Sequence, residues 1–232
     1  RKKGWVIEDV DGNHYIDAVT GWASTPLGAA HEEVTHAAVE ALWASGIECT
    51  DYVTFDTLFP LAEKLVEISP ARLTRVAPDT TGTEAVEAAV RLMREASGRP
   101  FVITFYGGFH GGNYGTGAAG PLEPGITRGI RQFVVGYIYA PYPYCYRCPC
   151  RLDYPDCELW CLDYIENVIL RYETTPDQIA GLLIEPVEGE AGVIIPPDDY
   201  FPRLRALCDK YGWLLCADEV QTGFGRTGRM FA

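Results

Sequence analysis

A chain of 232 residues, 47% of them hydrophobic, is long enough to enclose a sizeable core. Its formal net charge of −13 leaves no basic excess to neutralise a phosphate backbone, which excludes nucleic acid as a partner class. No apolar run approaches the ~20 residues of a membrane-spanning helix, and the basic start "RKKGW" leads into charged sequence, not into an apolar leader. A first residue that is not methionine and a last stretch "RMFA" without cap or polar tail read as the two boundaries of a fragment.

In chain order, "VIEDVDGNHYIDAV" carries two alternating runs around Asp11-Gly12, a dipeptide suited to a tight hairpin turn. From Glu32 to Ser45, Val34, Ala38, Ala41, Leu42 and Ser45 keep helical spacing up to Gly46. Leu58, Leu61, Leu65 and Ile68 do the same behind Thr57 and Pro60. Short apolar runs then alternate with helical patterns. "FVITFY", "QFVVGYI", "GLLIEP" and "GWLLCAD" read as buried strands; residues 84–96, 162–172 and 200–211 read as helices. Strands apolar on both faces, alternating with helices, predict a mostly parallel α/β sheet covered on each side. No internal repeat or low-complexity tract interrupts the pattern.

In such a sheet the ligand crevice lies beyond the carboxyl ends of the strands. Asp218 and Glu219 stand at one such end in "LLCADEVQTGFGRTG", and "LLIEPVEGEAG" repeats the design with Glu185, Glu188 and Glu190. A lone acid there is usually a solvated strand exit; two strands delivering carboxylates to one rim point to a site. "TTGTEAVEAAVRLMREASG" is a well-specified helix. Thr81 and Glu84 fit a capping box, Val86, Ala89, Val90 and Met93 form an apolar stripe, and Glu87 pairs with Arg91 by spacing. Taken alone, Thr81-Gly82-Thr83 is an N-cap. In company it can bring a helix N-terminus and the Thr83 hydroxyl to a phosphate, although the dinucleotide pattern G-x-G-x-x-G is absent. "FYGGFHGGNYGTG" sets Phe109 and His110 among glycines, either as a turn-rich loop or as a flat face for a planar ring. A planar ring with a phosphate and an anionic partner for its nitrogen describes pyridoxal phosphate.

These segments resemble the class III aminotransferases that depend on pyridoxal phosphate. The matching pieces are "DGNHYIDAVTG", "TTGTEAVEAAVRLMR", "FYGGFHG", "LLIEPVEGEAG" and "LLCADEVQTGFGRTG", in the family's order over nearly the whole chain. The resemblance implies a fold-type-I α/β architecture, with residues 1–57 belonging to a small N-terminal α+β domain and 58–232 to the large cofactor-binding domain. It implies that Gly82 and Thr83 bind the cofactor phosphate, that Phe109 stacks on the ring with His110 beside it, and that Asp218 bonds the ring nitrogen. Val220 would pack on the other face, Gln221 would reach the phenolic oxygen, and Glu185 and Glu190 would line the substrate side. It implies amino transfer from an amino acid or amine to a keto acid, by a cytoplasmic homodimer or higher homo-oligomer. Catalysis would rest on Asp218, Glu185 and a Schiff-base lysine.

That lysine is not among Lys2, Lys3, Lys64 and Lys210, the only four in the chain. By the resemblance it is expected beyond Ala232, and the 232 residues alone are expected to be inactive. Members of the family acting on 4-aminobutyrate or acetylornithine often carry arginine directly after the His-Gly pair, where Gly112 stands here, and the segment "GAAHEEV" is also altered. The same cofactor frame serves racemases, aminomutases and decarboxylases, so those outcomes stay open.

Five of eight cysteines crowd into "CYRCPCRLDYPDCELWC": Cys145, Cys148, Cys150, Cys157 and Cys161. The opening C-x2-C resembles half of a structural zinc site, but no second knuckle of standard spacing follows and no metal is assigned. Zinc, a disulfide and free packed thiols remain the alternatives. A non-catalytic interaction module built on this cluster is the alternative of another class.

Overall fold

The computed structural model describes residues 1–45 and 58–232. The helix stop expected at Gly46, the helix start at Thr57 and the residue-57 side of the domain boundary lie outside the described residues. The described residues gather into two compact units: residues 1–77 with 223–231, and residues 78–222 with 232. The helix after residue 57 thus groups with the first unit, and the second begins at Pro78.

In the first unit, β1 (Lys2–Lys3), β2 (Val6–Glu8) and β3 (His14–Ile16) form an antiparallel meander. The expected turn is present, and Gly12 supplies its positive φ of 84°. Asp9 organises it by accepting the N–H groups of Asp11 and Asn13, each at 2.9 Å, and the Tyr15 hydroxyl at 3.0 Å. These bonds, those from Asn13 foremost, hold its carboxyl down at about 2. Asp17 is buried and takes Lys2 Nζ at 2.5 Å. The two expected helices follow, α1 (Glu32–Ser45) and α2 (Leu58–Ile68), but α2 buries no residue and Val34, Leu42 and Leu61 are each more than half exposed.

The second unit is built on a four-stranded sheet of order β5-β4-β6-β7, parallel throughout: β4 (Phe101–Phe105), β5 (Tyr137–Ala140), β6 (Ile179–Ile184) and β7 (Leu214–Ala217). All six residues of β6 are buried, as expected of a strand covered on both faces. One face carries α3 (Gly82–Ser97), whose Val86, Val90 and Met93 pack on Val102, Ala180 and Leu183. The other carries α8 (Tyr200–Tyr211) and the run from α6 (Trp160–Tyr164) through a π-helical stretch (Ile165–Ile169) to α7 (Leu170–Tyr172). There Tyr200, Leu204, Ile165 and Trp213 close on Ile103, Phe105, Leu182 and Ile184. Each such side chain contributes about 1.5–3 kcal/mol by leaving water. Close packing also requires Gly181: a Cβ there would stand 2.1 Å from the Leu214 carbonyl oxygen and 2.5 Å from Met93 Cε.

Three sequence expectations shift. "GWLLCAD" forms β7 at the edge of the sheet, where none of its four strand residues is buried, because only one neighbour strand flanks it. "QFVVGYI" is a strand only from Tyr137, with Phe133 and Val135 exposed, because Gly136 at φ 101° breaks the extended run. On α3, Arg91 pairs with Glu95 at 2.8 Å and not with Glu87, whose carboxylate lies against Gly115 at the start of α4 (Tyr114–Ala119). No described helix is long and apolar enough to cross a membrane.

Candidate active site

Four loops from the second unit meet at the carboxyl ends of the strands. Helix α3 begins with Thr81 as N-cap, its hydroxyl accepting the Glu84 N–H at 3.2 Å. The Glu84 carboxylate reaches one residue further back than the expected box, to the Thr80 N–H at 3.2 Å and the Thr80 hydroxyl. The N–H groups of Gly82 and Thr83 find no protein acceptor among the described residues, which leaves two donors and the positive end of a sixteen-residue helix facing outward.

The loop after β7 touches that helix start directly. A Cβ on Gly82 would stand 2.8 Å from Val220 Cγ1, so a side chain there would have to displace this valine. The loop after β4 arrives from the other side. Thr83 Oγ1 accepts the Gly112 N–H at 3.4 Å and would lie 2.7 Å from a Cβ on Gly111, a glycine at φ 129°. Beyond it, His110 Nδ1 and Asp218 Oδ2 are 2.7 Å apart, both residues nearly fully buried at 3% and 6% exposure. Asp218 Oδ1 accepts the Val220 N–H at 3.0 Å. Each carboxylate oxygen keeps a second lone pair, so Asp218 can still accept a further N–H. Phe109 and Val220 stay 40% and 65% exposed around this buried acid, two apolar side chains with faces free.

The loop after β6 is held by Glu185. One oxygen accepts the Phe109 N–H at 2.8 Å and the other the Gly189 N–H at 3.1 Å. Burial pushes this carboxyl up, and the two backbone bonds oppose the shift. Glu185 therefore joins two loops, with only 6% exposure. Glu190, half-buried, faces Gln221, whose Nε2 lies 3.4 Å from Glu190 Oε1. A Cβ on Gly189 would overlap the Gln221 side chain. The nine expected residues are thus one connected cluster. Sequence reasoning missed Tyr142, whose hydroxyl donates to the carbonyls of Glu185 and Pro186 at 3.0 and 3.2 Å; a tyrosine in "PYPY" gives no signal of that role. Lys210, the one lysine of this unit, is spent on Glu166 at 2.6 Å.

The five clustered cysteines line one cavity of about 20 Å³, room for a single water-sized sphere. All five are free thiols, and burial pushes Cys161 up to about 12. Among the described residues no three His, Cys, Asp or Glu side chains are placed to share a metal ion.

Comparison with known proteins identifies the family. The family model described as aminotransferase class-III matches residues 1–232. An alanine/serine racemase of Pyrococcus horikoshii is 36% identical over 99% of this chain and 49% of its own length. An acetylornithine aminotransferase of Methanopyrus kandleri is 35% identical over 99% of this chain and 53% of its own. The crystal structure of a PLP-bound amine transaminase from an uncultivated Pseudomonas species superposes with a TM-score of 0.89 at 32% identity, covering all of this chain and 53% of that one. The chain spans about half the length of the curated relatives it matches. A parallel sheet clad by helices, the loop cluster around Asp218 and a match over every residue together place this chain in the class-III aminotransferase family, with the fold-type-I α/β architecture.

Proposed function

We propose that the complete protein is a pyridoxal-phosphate-dependent aminotransferase that moves an amino group from an amino acid or amine to a keto acid. The observation that carries this reading is the buried Asp218, paired with His110 at 2.7 Å and flanked by the exposed Phe109 and Val220. When bound, the cofactor would supply a ring that accepts electrons as the substrate's α-proton leaves. The chain's residues have complementary tasks. The free N–H groups of Gly82 and Thr83 and the Thr83 hydroxyl would receive the phosphate. Phe109 and Val220 would offer the ring apolar contacts, and Gln221 would serve its phenolic oxygen. Asp218 keeps a proton on the ring nitrogen, because a neighbouring anion favours the charged form, while His110 fixes the carboxylate's direction. Glu185 sets Phe109 and the Gly189-Glu190 turn in register, and Glu190 lies on the substrate side.

Gly112 bears on the substrate class. Nothing lies within 4 Å of a Cβ built there, so glycine is not required by its immediate neighbours, and the arginine's cation is missing. A distal carboxylate that relied on it would be unpaired, at a cost of several kcal/mol. α-Amino acids and uncharged amines are therefore the better donors, and 4-aminobutyrate a poor one. We also read the protein as a cytoplasmic homodimer. Seven described free thiols suit a reducing compartment, and the exposed apolar side chains of α1 and α2 suit a contact surface.

The test is Asp218→Asn in the complete protein. Turnover should fall by several orders of magnitude with the fold retained; transamination at the wild-type rate would refute the role of Asp218. The Pyrococcus relative favours a second reading, racemisation on the same frame. Incubation with L-alanine and a keto acid separates them: transfer yields pyruvate and a new amino acid in equal amounts, whereas a racemase yields D-alanine with no keto acid consumed.

A further inference from the structure

The exit of β6 is held at three consecutive carbonyls. That of Ile184 accepts the Asp218 N–H at 2.8 Å, and those of Glu185 and Pro186 both accept the Tyr142 hydroxyl, at 3.0 and 3.2 Å. Proline has no N–H, so the peptide joining Glu185 to Pro186 offers its carbonyl as the one polar handle by which it can be held. The Glu185 side chain leaves from the same residue. Its two oxygens take the N–H groups of Phe109 and Gly189, and a Cβ on Gly189 would overlap Gln221. Asp218, Phe109 and Gln221, three residues assigned to the cofactor, thus meet a short stretch that Tyr142 anchors from beyond the end of β5.

The segment around Tyr142 suits that task. It follows β5 in "APYPY", with Pro141 before it and Pro143 after it. A following proline confines a residue to extended backbone, which restricts how the side chain is presented. The ring is 3% exposed and packs edge-on against Phe105 and tilted against Tyr200, each with centroids 6.2 Å apart. Phenylalanine would fill that space equally, and a buried hydroxyl is costly unless it is bonded. The two neighbouring tyrosines differ in this respect: the Tyr200 hydroxyl is buried without a partner, whereas that of Tyr142 reaches two. One hydrogen serves both carbonyls, which ties the orientations of two successive peptides together. Burial, reinforced by the charges of Glu188 and Glu185, pushes this hydroxyl well above the ordinary tyrosine value, so the donor keeps its hydrogen.

We propose that Tyr142 is a positioning residue of the cofactor cluster: by holding the Glu185 and Pro186 carbonyls it sets the Glu185 carboxylate, and through that carboxylate the backbone of Phe109 and Gly189. Tyr142 acts through Glu185 and not on the cofactor itself. The inference rests on the aminotransferase reading for what the cluster binds, and on the hydrogen bonds for what Tyr142 holds.

The test compares Tyr142→Phe with Tyr139→Phe in the complete protein. Each substitution keeps the ring and removes one hydroxyl that donates to a backbone carbonyl, but the Tyr139 bond, to Ala118 at 2.8 Å, braces α4 and not the exit of β6. Hydrogen exchange, read by mass spectrometry over residues 107–112 and 187–192 with and without added pyridoxal phosphate, should be about fivefold faster in Tyr142→Phe than in the wild type and unchanged in Tyr139→Phe. The dissociation constant of pyridoxal phosphate should rise by about fivefold in Tyr142→Phe only, with an altered circular-dichroism band of the bound cofactor. Exchange at the wild-type rate in Tyr142→Phe, equal acceleration by the two substitutions, or faster exchange with cofactor affinity and dichroism unaltered would each overturn the proposal. Failure of the wild type to take up pyridoxal phosphate would refute the aminotransferase reading instead; the exchange comparison needs no cofactor and decides separately whether Tyr142 holds the exit of β6.

Discussion

Helices α2 and α3 carry equally legible apolar stripes, yet among the described residues only the α3 stripe carries buried side chains, the α2 stripe being half-buried at Leu58, Leu65 and Ile68. In α3, Val86, Val90 and Met93 are buried against the sheet; in α2 no residue is buried, and Phe59 and Leu61 are more than half exposed. The contrast extends to the units they belong to. The second unit closes a core on both faces of a parallel sheet, whereas the first leaves Trp5, Trp22 and Trp43 each more than 60% exposed. A hydrophobic period says which side of a helix is apolar and does not say what covers it. Stability and the candidate site therefore reside in the second unit, and the first presents surface.

The contrast can be broken or sharpened by substitution in the complete protein, read by denaturant unfolding. The largest effect should come from Leu204→Ala, a fully buried contact between α8 and the sheet, at about 2–5 kcal/mol. A cost under 1 kcal/mol would mean that this face is not the core. Next comes Glu188, whose effect depends on pH. Its folded-state carboxyl titrates near 9 against an ordinary value of 4.5, so the folded state binds the extra proton. Its contribution must then be lost steadily as pH rises between those values. Glu188→Gln should flatten that decline and stabilise the protein at pH 8 by a few kcal/mol, while changing little near pH 4; equal slopes in both proteins would contradict its burial. Thr81→Ala removes the N-cap of α3 and should cost about 1 kcal/mol. A smaller loss would show that the Glu84 bonds to Thr80 suffice. The smallest effect is expected at Val10→Ser, in the fully exposed hairpin turn of the first unit, under about 0.5 kcal/mol. A clearly larger cost would reveal that something covers the hairpin.

Much of this was legible in the sequence for identifiable reasons. β6 announces itself because a strand buried on both faces needs consecutive apolar residues, β7 carries a similar run although as an edge strand it buries none of its four residues, and their ends mark the rim where Asp218 and Glu185 stand. The Thr81 cap and Gly82 were readable because helix starts and close approaches demand specific residues. Other features depend on three-dimensional partners that no local pattern records. Glu185 reads as a substrate-side acid, but its oxygens are committed to the N–H groups of Phe109 and Gly189, residues known to be neighbours only once the chain folds. Glu188 shares its motif and sits three residues away, yet it ends buried and unpartnered. Arg91 had two glutamates at helical spacing, and spacing alone could not choose between them.

The central claim is that Asp218 holds the proton on a cofactor ring nitrogen at the end of β7. The most direct measurement is the ¹⁵N chemical shift of that nitrogen in the complete protein loaded with labelled pyridoxal phosphate, compared between wild type and Asp218→Asn at neutral pH. A protonated nitrogen in the wild type, lost in the Asn variant, is the predicted result. An unprotonated nitrogen in the wild type, or the same shift in both proteins, would contradict the account.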